Sequence, residues 1–127
     1  MKKYDLRERT YKFAVDAVRF LSGLTSSPVA YPIFNQLIRS ATSIGANVEE
    51  ADSSPTRKDF KHKLVISKKE AAETVYWLKL GLDAGLISTE DNIGKAKELL
   101  GECEQLVKIL GSIIGKMSDN EKNSEIK

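Results

Sequence analysis

Few side chains in this sequence could do chemistry, and their spacing limits what each could do. Arg57 and His62 form an Arg-x4-His pair. A guanidinium there could stabilise a developing phosphorane while the imidazole shuttles a proton, as ribonuclease chemistry requires. The chain holds five arginines, so a short pairing of this kind arises readily by chance. Asp59 and His62 have the i, i+3 spacing of a carboxylate-histidine metal pair, but a di-metal bundle needs two histidines and His62 is the only one. Glu70 and Glu73 adjoin on a helix without any implied cleft, so they do not read as an acid/base pair. Cys103 falls at a heptad core position and is expected to be a small buried hydrophobe, not a nucleophile. Glycine-rich phosphate loops are absent; Gly94, Gly101, Gly111 and Gly115 all fall inside one helical stretch and are expected to serve a close-packed face. No metal or cofactor is expected.

The densest basic stretch holds Arg57, Lys58, Lys61, Lys63, Lys68 and Lys69 against Asp59 alone. Arg57, Lys61 and Lys68 fall within about 40° on a helical wheel and are candidate phosphate contacts. A lysine-rich face is commonly just solvated, however, and no aromatic side chain is evidently interleaved to stack on bases.

The elements that must position these residues follow from composition and periodicity. The 127 residues are 41% hydrophobic and 30% charged, enough for one domain with a real core, and 20 Lys plus Arg against 18 Asp plus Glu give a net charge of +2. That balance does not by itself point to nucleic acid. The single cysteine cannot form an internal disulfide, which suggests a reducing, cytoplasmic setting. The first residues carry two lysines but no apolar segment typical of a signal peptide, and no apolar run approaches the roughly 20 residues of a membrane span, so no membrane partner is expected.

Prolines and glycines separate four helices, expected near 5–25, 32–52, 56–84 and 89–117, and no segment alternates as a strand would. In the fourth, Ile93, Ala96, Leu100, Cys103, Val107, Leu110, Ile114 and Met117 recur in steps of three and four, a bundle stripe. An all-α, up-down-up-down four-helix bundle is expected over residues 1–118, with 119–127 a disordered tail. The third helix is apolar on two sides. Phe60, Leu64, Ala71, Val75, Leu78 and Leu82 share one face, and Ile66, Trp77 and Leu80 project from nearly the opposite one. Two readings stay open for the second face: a contact with another subunit, or a Trp77 at the edge of the same core. The second helix sets Ile33, Leu37, Ala41, Ile44, Val48 and Ala51 toward the core. Beside them runs a polar strip of Gln36, Arg39, Ser40, Ser43, Asn47 and Glu50, from which Arg39 is expected to pair with Glu70 or Glu73 across the helix contact.

The segment QLIRSATSIGANVEEA (36–51), followed by DFKHKLVISKKEAAETVYWLKL (59–80), resembles the four-helix-bundle proteins of the 23S rRNA intervening-sequence family. The resemblance implies a small bacterial protein that assembles into a ring, typically a homopentamer, with no established enzymatic activity. The family's motif positions fall on Arg39, Ser40, Ser43, Asn47, Glu50, Glu70, Glu73 and Trp77, which become candidates for an oligomer interface or binding surface. A related ring-forming bundle is accessory subunit to reverse transcriptases of diversity-generating retroelements and binds protein and nucleic acid; it is strongly basic, and this chain is not. The Arg-x4-His spacing is similar to that of helical ribonucleases of the HEPN type, which usually follow the arginine with Asn or Asp where this chain has Lys58. The expected function is therefore a non-enzymatic, homo-oligomeric binding or scaffold module. Its expected partners are itself and RNA or an RNA-associated protein; the alternatives are a HEPN-like ribonuclease or a reverse-transcriptase accessory subunit.

Overall fold

The computed structural model describes residues 3–126, with side chains for residues 6–123. Its four helices are α1 (Lys3–Ser22), α2 (Ala30–Asp52), α3 (Arg57–Asp83) and α4 (Glu90–Ile126), and the described residues contain no strand. Each helix packs on its neighbours in sequence and α1 meets α4, which closes an up-down bundle. The helix ends follow local chemistry. Thr56 caps α3, its hydroxyl accepting from the Asp59 N–H at 3.1 Å and donating to the Asp59 carboxylate at 2.8 Å. At the other end of α3 the chain turns through Gly85, whose φ of +75° suits glycine, while the Gly81 carbonyl accepts from the N–H groups of Leu86 and Ile87. Thr89 opens α4 by accepting from the Asn92 N–H at 3.2 Å. Helix α1 stops at Ser22 rather than near 25, and α2 begins at Ala30, its N–H bonded to the Ser27 hydroxyl.

Phe13, Leu37, Ile44, Leu64, Leu78, Leu106 and Leu110 fill the centre, one stripe from each helix. Embedded in it is a hydroxyl seam. Thr10, Ser40, Ser67 and Thr74 are fully buried; the Thr74 hydroxyl lies 2.8 Å from that of Ser40, and Ser67 donates to the Ile44 carbonyl at 2.8 Å. Every described buried side-chain polar atom is satisfied. Small residues here let α2 and α3 approach closely. The α1–α2 approach depends on Gly45, where a Cβ would lie 3.2 Å from the Thr10 carbonyl oxygen.

Two expectations are corrected. Helix α4 does not end near Met117; it continues to Ile126, and in this extension Glu121 pairs with Lys61 at 2.8 Å. The described helix thus runs past the bound set by the apolar stripe, and its one ion pair to α3 in this extension is part-exposed. The glycines of α4 do not line a close-packed face within the chain: a Cβ at Gly94, Gly101 or Gly115 would meet nothing within 4 Å, and one at Gly111 would meet only the Lys68 side chain. These positions give up helix propensity without any contact in the subunit to require it. Gly101→Ala should therefore raise stability by about 0.5–1 kcal/mol in denaturant unfolding. Gly45→Leu should lower it by about 1–3 kcal/mol, because the backbone of α1 stands where the new side chain must go.

Candidate functional site

The hydroxyl seam fixes the α2–α3 register, and that register brings Arg39 over α3. Arg39 Nη1 lies 2.9 Å from a Glu70 carboxylate oxygen, and Nη2 pairs with Glu73. Glu73 also accepts from the Trp77 indole N–H at 3.0 Å, and Arg39 Nε reaches the Gln36 amide oxygen at 3.2 Å. The indole hydrogen bond foremost, with the Arg39 guanidinium adding to it, holds the Glu73 carboxyl below its ordinary value against the opposing cost of partial desolvation. The expected Arg39 bridge is thus present with both glutamates, though it is half open to solvent rather than buried.

The remaining motif residues divide by role. Ser40 is internal and belongs to the seam. Ser43 donates to the Arg39 carbonyl and Asn47 to the Ser43 carbonyl, local bonds that keep these short side chains along α2. Glu50 pairs with Lys63 at 2.8 Å. Trp77 is half-buried: it packs on the edge of the core, with Tyr76 edge-on to it at a centroid distance of 5.0 Å and facing water. Ile66 and Leu80 are likewise half-covered, so α2 takes part of the second apolar face and Tyr76 with Val65 is left outside. Pure wheel reasoning misses this division because it assigns the strip facing a neighbouring helix and the strip facing water to one side.

The chemistry suggested by individual spacings does not assemble. Arg57 and His62 are both exposed and lie about 140° apart around α3, so no single phosphate meets both. His62 instead borders a shallow depression of about 570 Å³ with Asp59, Glu49 and Glu50. Asp59 is committed to the Thr56 cap, and no group of three or more metal-ligating side chains occurs among the described residues. Cys103 is buried and donates to the Ala71 carbonyl at 3.2 Å; desolvation, reinforced by the charges of Glu102 and Glu104, pushes its thiol up to about 12. Of the candidate phosphate contacts, Lys61 is held by Glu121. Lys68 lies across Gly111 of α4, and Arg57 projects freely at the start of α3.

Sequence reasoning missed the α1–α4 seam. There Arg9 makes a two-pronged bridge to Glu102, both bonds 2.7 Å, beside a groove of about 770 Å³ floored by Phe13, Phe20 and Leu99. Glu102 falls outside the apolar stripe of α4, and it is half-covered because α1 packs against that side. No sequence spacing within one helix encodes such a bridge. The apolar residues Tyr11, Val18 and Tyr31 on the outside of α1 and α2 were also missed.

A model of the 23S rRNA-intervening sequence protein family matches residues 2–112, nearly the whole chain. The chain belongs to that family. A family relationship also appears in three dimensions. A solved structure of a protein of unknown function from the S23 ribosomal protein family, from Bacteroides thetaiotaomicron, is similar with a TM-score of 0.78 at 35% identity, over 91% of this chain and 99% of that one. No curated protein matches the chain. Among the described residues of this family member, no helix is long and apolar enough to cross a membrane.

Two predictions follow from the geometry around Trp77 and Cys103. A depressed Glu73 value means that its contribution to stability is in force above the ordinary carboxylate range and is lost as pH falls through the lowered value. Trp77 is the only tryptophan, so its fluorescence should titrate in acid with a midpoint below that of a free glutamate. Arg39→Ala should move the midpoint upward and Glu73→Gln should abolish the step. Cys103 should resist alkylation by iodoacetamide near pH 8 in the native protein and react fully in denaturant, because native thiolate is scarce and buried.

Proposed function

We propose that this family member is a non-enzymatic, homo-oligomeric binding module whose subunit contacts use the outer face of α2 and α3, with a ring of five copies as the arrangement the family resemblance implies. The carrying observation is the face itself. Trp77 is oriented by Glu73, Glu73 by Arg39, and the exposed Tyr76 ring stands edge-on to the indole. Aromatic and arginine side chains held in place by such bonds are suited to forming a contact centre, because little side-chain freedom remains to be lost on association. The absence of convergence between Arg57 and His62 favours binding over the ribonuclease alternative.

RNA, or an RNA-associated protein, is the proposed partner, with Arg57 and Lys68 as the phosphate contacts in each copy and Lys61 a weaker third because Glu121 competes for it. A few contacts per chain are weak alone, but a closed assembly repeats them and gains avidity. The purified protein should scatter light as an oligomer near neutral pH. Trp77→Glu should reduce it to monomers that remain helical by circular dichroism, and a monomeric wild type would defeat the assembly. Retention of a labelled RNA hairpin should weaken about 40-fold between 50 and 200 mM salt if about three phosphates are neutralised, and further in Arg57→Glu with Lys68→Glu. Salt-independent retention, or none, would defeat the RNA assignment.

A further inference from the structure

We propose that the α1–α4 groove binds a short extended peptide by its two free ends, the ammonium on Glu98 and the carboxylate on Arg19. The groove lies on the side of the bundle away from the α2–α3 face, so this inference does not rest on the proposed self-association. It holds about 770 Å³ between walls of long charged side chains, with Phe13, Phe20 and Leu99 beneath them. Most of its charges already have partners. Arg9 and Glu102 bridge across one end, with both bonds 2.7 Å. Along the α1 wall Lys12 pairs with Asp16 at 2.8 Å, and on the α4 side Lys95 pairs with Asp91 at 3.1 Å. That leaves one group of each sign, Arg19 on α1 and Glu98 on α4. Both line the groove, both are exposed, and neither makes an ion pair among the described residues. A simple anion placed there would gain Arg19 but meet Glu98, and a simple cation would do the reverse; a molecule carrying both charges suits both groups.

The span between the two groups sets the length of the occupant. Helices α1 and α4 run antiparallel, and the Arg9–Glu102 bridge fixes their common level. Glu98 is therefore level with Phe13, and Arg19 stands about 9 Å further along the groove at a rise of about 1.5 Å per residue. An extended chain covers about 3.3 Å per residue, so three residues bring an N-terminal ammonium and a C-terminal carboxylate to the two groups together. An aliphatic chain of equal length would need open apolar surface to hold it, and Phe13, Phe20 and Leu99 are only 2%, 8% and 8% exposed. Peptide amides fit this polar setting better, because they keep their hydrogen bonds to water or exchange them for bonds to the Lys12–Asp16 pair.

Saturation-transfer NMR on the whole chain, with trialanine as the probe, tests the assignment. Trialanine should bind with a dissociation constant of about a few millimolar. An exposed ion pair is worth up to about fivefold in affinity, so N-acetylation and C-terminal amidation of the probe should each weaken binding by about that factor. Variants assign the ends. In Glu98→Ala, N-acetylation should cost nothing further while amidation still does, and in Arg19→Ala the pattern should reverse. Both side chains are exposed, so helicity by circular dichroism should be unchanged. No transfer to trialanine at about 10 mM, equal binding of free and capped probes, or a capping penalty that survives its matching variant overturns the proposal. An ω-amino fatty acid of the same length that binds as tightly as trialanine overturns the peptide as occupant.

Discussion

The structure depends on how closely α2 and α3 approach, and buried hydroxyls set that approach. Ser40, Ser67 and Thr74 are small enough for the backbones to come together, and each is satisfied at short range: Thr74 lies 2.8 Å from Ser40 and Ser67 meets the Ile44 carbonyl. A polar group sealed from water without a partner costs on the order of 1–3 kcal/mol, so sliding α3 along α2 would break these bonds as well as the packing around them. The seam therefore fixes register more sharply than an all-leucine contact would. Arg39 reaches Glu70 and Glu73 because that register holds, and Trp77 is oriented because Glu73 is held in turn.

The outer face that results is an ordered chain of contacts built on a rigid pair of helices. Its ion pairs are half exposed and contribute little to folding, since solvent and salt screen them. Their effect is to restrict where the indole and the guanidinium can be, as the proposed contact requires. The α1–α4 seam shows the contrast. Its two-pronged Arg9–Glu102 bridge ties two helices together, but the groove beside it has a floor whose rings are already largely covered, so it offers a partner little apolar surface.

Glycines separate two uses of one residue type. Gly45 is required by the backbone of α1 lying against it, and Gly85 by a left-handed turn. Gly94, Gly101 and Gly115 face open space in the subunit, where helix propensity would favour alanine. Composition cannot distinguish these cases, because the difference lies in what stands opposite each Cα.

The sequence by itself determined the four helices, the inward stripes of α2, α3 and α4, the burial of Cys103 and the reach of Arg39 toward α3. All of these follow from the 3.6-residue period and from side-chain length along a single helix, which are local properties. It also carried, through the residues around Ser43 and Trp77, the family to which the chain belongs. Only the tertiary structure decided that Ser40 is internal while Tyr76 is outside, that Trp77 is shared between core edge and surface, and that Glu102 meets α1. Those outcomes depend on rotation and register between helices, and such relations are set by packing over long sequence separations that no spacing within one helix can record.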